Sequence, residues 1–297
     1  MRIFYSLAAA ALLFSCAEAE TGTNTTKNRS ENPSASIRVN NEKMSKLLEY
    51  TDPHSFSKPD EAVVTHLKWN AKVDFDAKTI TAKASWKVDH SGIEVHFDAR
   101  NLKIQKVTIG KEDEKEVEYN LGKDIEFLGQ DLMVPLEENT EWVNIYYSTT
   151  EGADALQFLD PEQTKGKKHP FLFTQSQAIM ARTWIPCQDS PGIRFTYDAT
   201  VEVPKGMLAL MSAENPQQAN EDGNYTFHMD QPVPSYLFAL AVGVMEFKPV
   251  GEITGVYAEP EMIDKAVYEL ELMQDMVDTA AAMYGDYRWG RYDVLIL

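Results

Sequence analysis

Hydrolytic or redox chemistry in a protein of this kind would have to come from histidine, cysteine, carboxylate or carboxamide side chains, and few of these are spaced to cooperate. The six histidines, His54, His66, His90, His96, His169 and His228, are scattered, and with only Cys16 and Cys187 beside them they exclude a cysteine-based zinc site. His90 and His96 share a strand-like stretch and are expected to be solvated or to sit beside a turn. Cys187 lies between Ile185-Pro186 and Gln188-Asp189-Ser190-Pro191, with no cationic neighbour in the turn to favour its thiolate. It is expected to be a structural thiol; Arg182 would reach it only by accident of folding. Acidic runs such as Glu112-Asp113-Glu114 and Glu116 lack the spacing of a calcium loop and read as solvated charge in a hairpin. Gln175 and Gln177 stand two apart, so on a strand both carboxamides leave the same face. Taken alone, these residues finish a β ladder.

Cys16 invites a different chemistry. Met1-Arg2 and the apolar run Ser6 to Phe14 have the layout of an export signal, too short to span a membrane. Leu13-Phe14-Ser15-Cys16 then resembles the lipobox of bacterial lipoproteins, in which the thiol is acylated and becomes the mature N-terminus. The competing reading is ordinary cleavage after Ala17-Glu18-Ala19. A lipid on Cys16 would leave Cys187 without a disulfide partner and would hold the chain at the bacterial cell envelope, on its periplasmic or surface side. Residues 17–46 are rich in Thr, Asn, Ser and Glu with almost no apolar content, the composition of a solvated tether.

The elements that must position these residues change along the chain. Thr79 to Val88 alternates with period two, Ile80, Ala82, Ala84, Trp86 and Val88 on one face and Lys83, Ser85 and Lys87 on the other. Short runs of the same kind continue to about residue 150, and a second set, including Arg194–Val203 and Tyr236–Val244, runs from Phe171 to Val250. Strands at this spacing predict a mainly β fold, a sandwich or saddle. From Pro260 to Tyr284 an apolar stripe at helical spacing predicts one long amphipathic helix, and Tyr292 to Leu297 reads as a buried strand. Ending inside an apolar run, the sequence looks cut. With 46 acidic and 28 basic residues the net charge is −18, which argues against a nucleic-acid partner.

The stretch Ala155 to Pro191, with Ala155-Leu156-Gln157, Pro161-Glu162-Gln163-Thr164, Gln175-Ser176-Gln177-Ala178 and Pro186-Cys187-Gln188-Asp189, closely resembles the zinc aminopeptidase family that includes alanyl aminopeptidases. Within that family it is most similar to the leukotriene-A hydrolase branch. Val203-Pro204-Lys205 with Ala209 to Ala213, and Trp289-Gly290 with Tyr292-Asp293, extend the resemblance over roughly residues 47–297.

The N-terminal residues thus read as a signal peptide over 1–15 and a disordered tether over 16–46, and the resemblance implies an N-terminal β saddle domain over 47–250 and, over 251–297, the first helix and strand of a thermolysin-like α/β catalytic domain. It also implies zinc in the complete enzyme, held by an H-E-x-x-H helix and a distal Glu that this sequence does not contain, nor does it contain G-x-M-E-N. The chain alone is therefore expected to bind no zinc and to be inactive. Its contribution would be a wall of the substrate cleft, where Gln177 contacts the free N-terminus of a peptide and Gln175 and Ala178 line the same pocket. Many members carry Glu where Gln177 stands; a carboxamide brings no counter-charge. The implied partners are a peptide N-terminus, a membrane through Cys16, and the missing catalytic and C-terminal domains. The alternative is a non-catalytic, peptide-binding β module at the envelope; the apolar helix stripe and terminus, which need a partner to bury them, argue against it.

Overall fold

Alternating sequences become strands wherever one face can be buried, and most of this chain follows that rule. The structure is a computed structural model describing residues 52–297; the expectations for the signal peptide, the tether and Cys16 lie outside the described residues. The first strands are β1 (Ala62–Asp74), β2 (Thr79–His90), β3 (Glu94–Ala99), β4 (Lys103–Ile109), β5 (Lys115–Val117), β6 (Asn120–Leu121), β7 (Gln130–Pro135) and β8 (Trp142–Ser148). Then follow β9 (Leu156–Leu159), β10 (Phe171–Thr174), β11 (Arg194–Glu202), β12 (Leu208–Met211), β13 (Asn224–Pro234), β14 (Leu240–Gly243), β15 (Glu246–Pro249), β16 (Thr254–Ala258) and β17 (Tyr292–Leu295).

A seven-stranded sheet in the order β13-β11-β1-β2-β8-β4-β5 carries most of the core. Its pairings are antiparallel except that of β1 with β11, where His66 to Lys72 run parallel to Thr196 to Glu202. The inner face presents Leu67, Trp69, Ile80, Ala84, Trp86, Ile145, Phe195 and Tyr197, all buried. Ile80 to Val88 point inward as the alternation requires, although Ser85 on the opposite face is also buried. The runs at Leu102–Ile104 and Val107–Ile109 join into the single strand β4 through a bulge between Ile104 and Lys106. A four-stranded sheet in the order β12-β14-β10-β9 shares the same core, and β3-β7-β6 and β15-β16-β17 are smaller sheets of three strands each. The hairpin β15–β16 crosses residue 250, so the pairing is continuous where the saddle was expected to end.

Aromatic packing joins the two large sheets. Trp184 stacks on Phe238 at 5.1 Å, and Trp69 meets both edge-on at 5.4 Å. Such geometry adds about 0.5–1.5 kcal/mol per pair beyond the area buried. The Trp69 indole donates to Tyr147 Oη at 2.9 Å and the Trp86 indole to the Pro186 carbonyl at 2.9 Å, so neither buried N–H is unpaired.

One ion cluster lies inside this core. Arg182 and Asp98 are wholly buried and Asp189 nearly so. Arg182 Nε donates to Asp189 Oδ2 at 3.0 Å, Nη1 to the Leu128 carbonyl at 3.0 Å and Nη2 to the His54 carbonyl at 2.7 Å; Nη1 also lies 3.5 Å from Asp98 Oδ1. Asp98 accepts from Ser55 Oγ, Phe56 N and Asp189 N at 2.6, 2.7 and 2.8 Å. Burial raises the Asp98 pKa above its ordinary value, opposed by the guanidinium and these three donors. The Leu128 carbonyl is presented by a tight turn in which Gly129 adopts φ +80°, and a Cβ there would come 2.5 Å from the Ala99 carbonyl oxygen. Beside the cluster, buried Gln188 accepts from Val64 N at 3.0 Å and donates to the Ala62 carbonyl at 2.9 Å.

His96 departs from expectation. It is buried, with Nδ1 2.9 Å from Asp131 Oδ2 and Nε2 3.1 Å from Glu94 Oε1. Two carboxylates leave both ring nitrogens only acceptors to face, so the ring is an imidazolium. The hydrogen bond to Asp131 leads in raising its pKa above 6.5, against burial and the charge of Lys58. His90, by contrast, is half-buried at a turn, its ring nitrogens against the carbonyls of Gly92 and Thr140.

The predicted long helix is two: α1 (Ile263–Glu269) and α2 (Met273–Tyr284). Between them the helix breaks so that Gln274 folds back, its Oε1 accepting from Ile253 N and Thr254 Oγ1, both at 3.1 Å. Ile263, Ala266 and Met273 pack with Val256 and Ala258 in a small second core, whereas further along the stripe Val277 and Ala281 are half-buried and Ala280 and Tyr284 exposed. β17 pairs parallel to β16, and Val294, Leu295 and Ile296 are half-buried.

Arg182→Met leaves Asp98 and Asp189 buried without their cation and should cost about 3–5 kcal/mol, read as a lower urea midpoint at unchanged slope. For His96, the raised folded-state pKa means its contribution is complete below pH 6.5 and is lost as pH rises through the folded value. Denaturation from pH 6 to about pH 9 should show this decline, and His96→Gln should remove it.

Candidate active-site wall

Gln175, Gln177 and Ala178 do not lie on a strand. β10 ends at Thr174, and Gln175 N makes one further ladder-like bond to the Ala155 carbonyl at 2.9 Å. The chain then turns, because Ser176 goes inward: it is buried, its Oγ accepts from the Trp184 indole at 3.0 Å, and its carbonyl accepts from Met180 N at 2.8 Å. Gln175, Gln177 and Ala178 are left exposed on either side of it, joined at Gln177–Ala178 by a cis peptide. Both glutamines are thus exposed, not as alternate residues of a strand but around a turn pinned at Ser176.

Their carboxamides are not equivalent. Gln175 Oε1 accepts from Gln177 N at 3.2 Å, which occupies part of its acceptor capacity. The Gln177 carboxamide has no such engagement among the described residues and keeps both its acceptor and its donors for a ligand. Behind the turn everything is fixed: Thr183 Oγ1 accepts from Ala155 N at 3.1 Å and donates to the Met180 carbonyl at 2.8 Å, Trp184 is held in the aromatic stack, and Arg182 sits in its ion cluster. Thr174 Oγ1 accepts from Leu240 N at 2.9 Å, tying the start of the turn to β14.

Sequence reading gave Ser176 and Trp184 no role and named Arg182 only as a chance neighbour of Cys187. Arg182 stands inside the apolar run Ile179 to Ile185, and an arginine in such a run is rarely buried unless paired, a signal that pointed to a partner without naming it. Cys187 is buried, burial pushes its thiol pKa well up, and its backbone pairs with Asp98. That is the environment of an inert thiol.

No three His, Cys, Asp or Glu side chains among the described residues converge as a metal site would require. The nearest approach is pairwise: His228 lies between Asp198 at 2.5 Å and Asp230 at 2.7 Å, and His66 Nε2 is 3.3 Å from Asp198. The two carboxylates raise the His228 pKa, whereas burial lowers that of His66. Among the described residues no ligand set for zinc is assembled. A groove of about 1180 Å³ runs along β13 toward Tyr287, Trp289 and Arg291, but the glutamine turn does not line it.

Comparison with known proteins gives the turn a context. A family model described as the peptidase M1 N-terminal domain matches residues 63–237. The chain is 38% identical over 259 residues to leukotriene A-4 hydrolase of Xenopus laevis, covering 83% of this chain and 42% of that protein. It is 32% identical over 252 residues to leucine aminopeptidase 2 of Yarrowia lipolytica, covering 83% and 38%. Among solved structures, native leukotriene A4 hydrolase from Saccharomyces cerevisiae superposes with a TM-score of 0.77 at 29% identity, over 84% of this chain and 40% of that one. The chain thus spans about two fifths of the length of the relatives it matches.

Ser176→Ala strips the buried Trp184 indole of its acceptor and should cost about 1–3 kcal/mol. Amide exchange over Gln175–Met180 should quicken more than in β1 or β2, as hydrogen-exchange mass spectrometry would read.

Proposed function

The chain belongs to the M1 peptidase family, and on that premise we propose that it forms the part of a zinc aminopeptidase that receives the free N-terminus of a peptide. The observation that carries this reading is the turn at Ser176, which holds Gln177 exposed with its carboxamide uncommitted beside a buried, hydrogen-bonded serine. That carboxamide accepts a hydrogen bond from the substrate's α-ammonium and donates one to a backbone carbonyl. Gln175 and Ala178 stand beside it as neighbouring wall. Being neutral, Gln177 orients the amine without neutralising it, so the counter-charge must come from another group.

Zinc, in an enzyme of this kind, supplies an activated water for attack on the peptide bond. The residues described here place and orient the substrate, and no step at the metal falls to them. The run Ser6 to Phe14 and the lipobox-like Cys16 support export and lipid attachment at a bacterial cell envelope as part of the same proposal.

The test uses the native product purified from its own cells, with intact mass, zinc content and N-terminal lipid measured together. Aminopeptidase activity with zinc bound supports the reading. In that product Gln177→Ala should raise KM for free-amine peptide substrates about tenfold, the worth of a hydrogen bond to a charged group, with kcat little changed. Binding of N-acetylated peptides should be indifferent to the substitution. A zinc-free native product that binds free-amine peptides without cleaving them would instead establish a peptide-binding β module.

A further inference from the structure

The outer face of the seven-stranded sheet gathers lysines on β1, β2 and β4, in a chain that is acidic as a whole. β1, β2 and β4 turn Lys68, Lys72, Lys83, Lys87, Lys103 and Lys106 toward solvent. Register gathers them: Lys68 faces Ser85, two positions from Lys87, and Lys83, Tyr146 and Lys106 form one row across β2, β8 and β4. In a chain with 46 acidic and 28 basic residues, such a group should be outnumbered by carboxylates. Instead Glu114 takes Lys83 at 2.5 Å and Glu202 takes Lys72 at 2.6 Å. Lys68, Lys87, Lys103 and Lys106 have no carboxylate within 4.0 Å among the described residues, although Asp198 of β11 stands opposite Lys68 in register; Asp74 and Asp89 lie at the ends of β1 and β2.

Two of these ammoniums lie over aromatic rings, Lys106 4.4 Å from the ring centre of Tyr146 and Lys68 5.3 Å from that of Trp142. None of the exposed large hydrophobic side chains belongs to β1, β2, β4 or β8. A partner would therefore be held by charge and not by insertion. Lysine ammoniums are compact point charges on flexible stems, without the fork by which arginine reads a planar anion; they suit a layer of anions with no fixed geometry. At physiological salt, charges are screened beyond about 8 Å, so the nearby lysines outweigh the acidic remainder of the chain once the face is in contact.

We propose that this face docks the folded domain on an anionic phospholipid surface. The docking goes beyond the peptide reading and does not require acylation of Cys16. It leaves the Gln175–Ala178 turn accessible, because the four-stranded sheet that carries it lies on the inner side of the seven-stranded sheet, away from the lysines.

The experiment takes the full chain with Cys16→Ser, so that retention cannot come from a lipid, and sediments it with vesicles of phosphatidylcholine alone or with about one third phosphatidylglycerol. The expected result is binding to the anionic vesicles only, abolished by high salt. K68E/K87E/K106E should weaken that binding by at least about tenfold, since each surface lysine shifts partitioning about fivefold, and the corresponding triple glutamine variant should fall between the two. All three positions are exposed, and unchanged thermal melting of each variant shows that it is folded. Equal binding to both vesicle types, or undiminished binding by either variant, would overturn the proposal. So would retention by immobilised polyglutamate without vesicle binding, which would identify the face as a site for an acidic polypeptide.

Discussion

The buried guanidinium of Arg182 is the constraint from which the rest of the architecture can be read. A charge in a core is tolerated only when its partners are complete, and here they come from four places in the chain: the His54 carbonyl, Asp98 at the end of β3, the Leu128 carbonyl at a tight turn, and Asp189. Each contact fixes a segment that periodic alternation leaves free. Asp98 in turn collects Ser55 and Phe56, and Asp189 collects Ser235 at 2.5 Å, the residue where the chain turns into Phe238 and the aromatic stack. Hydrophobic burial makes the sheets; this cluster determines how their ends meet.

The glutamine turn inherits its rigidity from that arrangement. Ser176 hangs from Trp184, Trp184 stacks on Phe238, and Phe238 follows the Ser235 turn held by Asp189. The exposed turn is thus only a few residues from the most heavily cross-linked part of the core. Gln177 and Ala178 project from a backbone held by Ser176, while Gln175 Oε1 is engaged by Gln177 N.

Much of the β architecture was legible because it depends on local alternation. Ile80 to Val88 required nothing beyond their own spacing, and the runs in β8 and β11 behave alike, whereas β1 was not singled out. What escaped was set by distance in sequence. Asp98 and Asp189 meet Arg182 across segments no window can join, and His96 looks like a surface histidine until Asp131, on the neighbouring strand, is placed against it. Helical periodicity failed at Leu270–Leu272 for a related reason: the stripe is continuous in sequence, but Gln274 bonds to the turn before β16 and redirects the axis. Gln175 and Gln177 were singled out through family resemblance; spacing alone put them on a strand that ends one residue earlier, because nothing local announces that Ser176 turns inward.

The parallel pairing of β1 with β11 bears on the order of events in time. His66 to Lys72 need Thr196 to Glu202 as neighbours, so about 130 residues must emerge from the ribosome before the largest sheet can close. Until then β1 has β2 on one side and an open edge on the other, and the early chain is a set of antiparallel hairpins with an unfilled place among them. A nascent chain in that condition is slow to commit and presents a ready template to any passing strand. The last step of its maturation would be the arrival of β11 in the gap that β1 has held open.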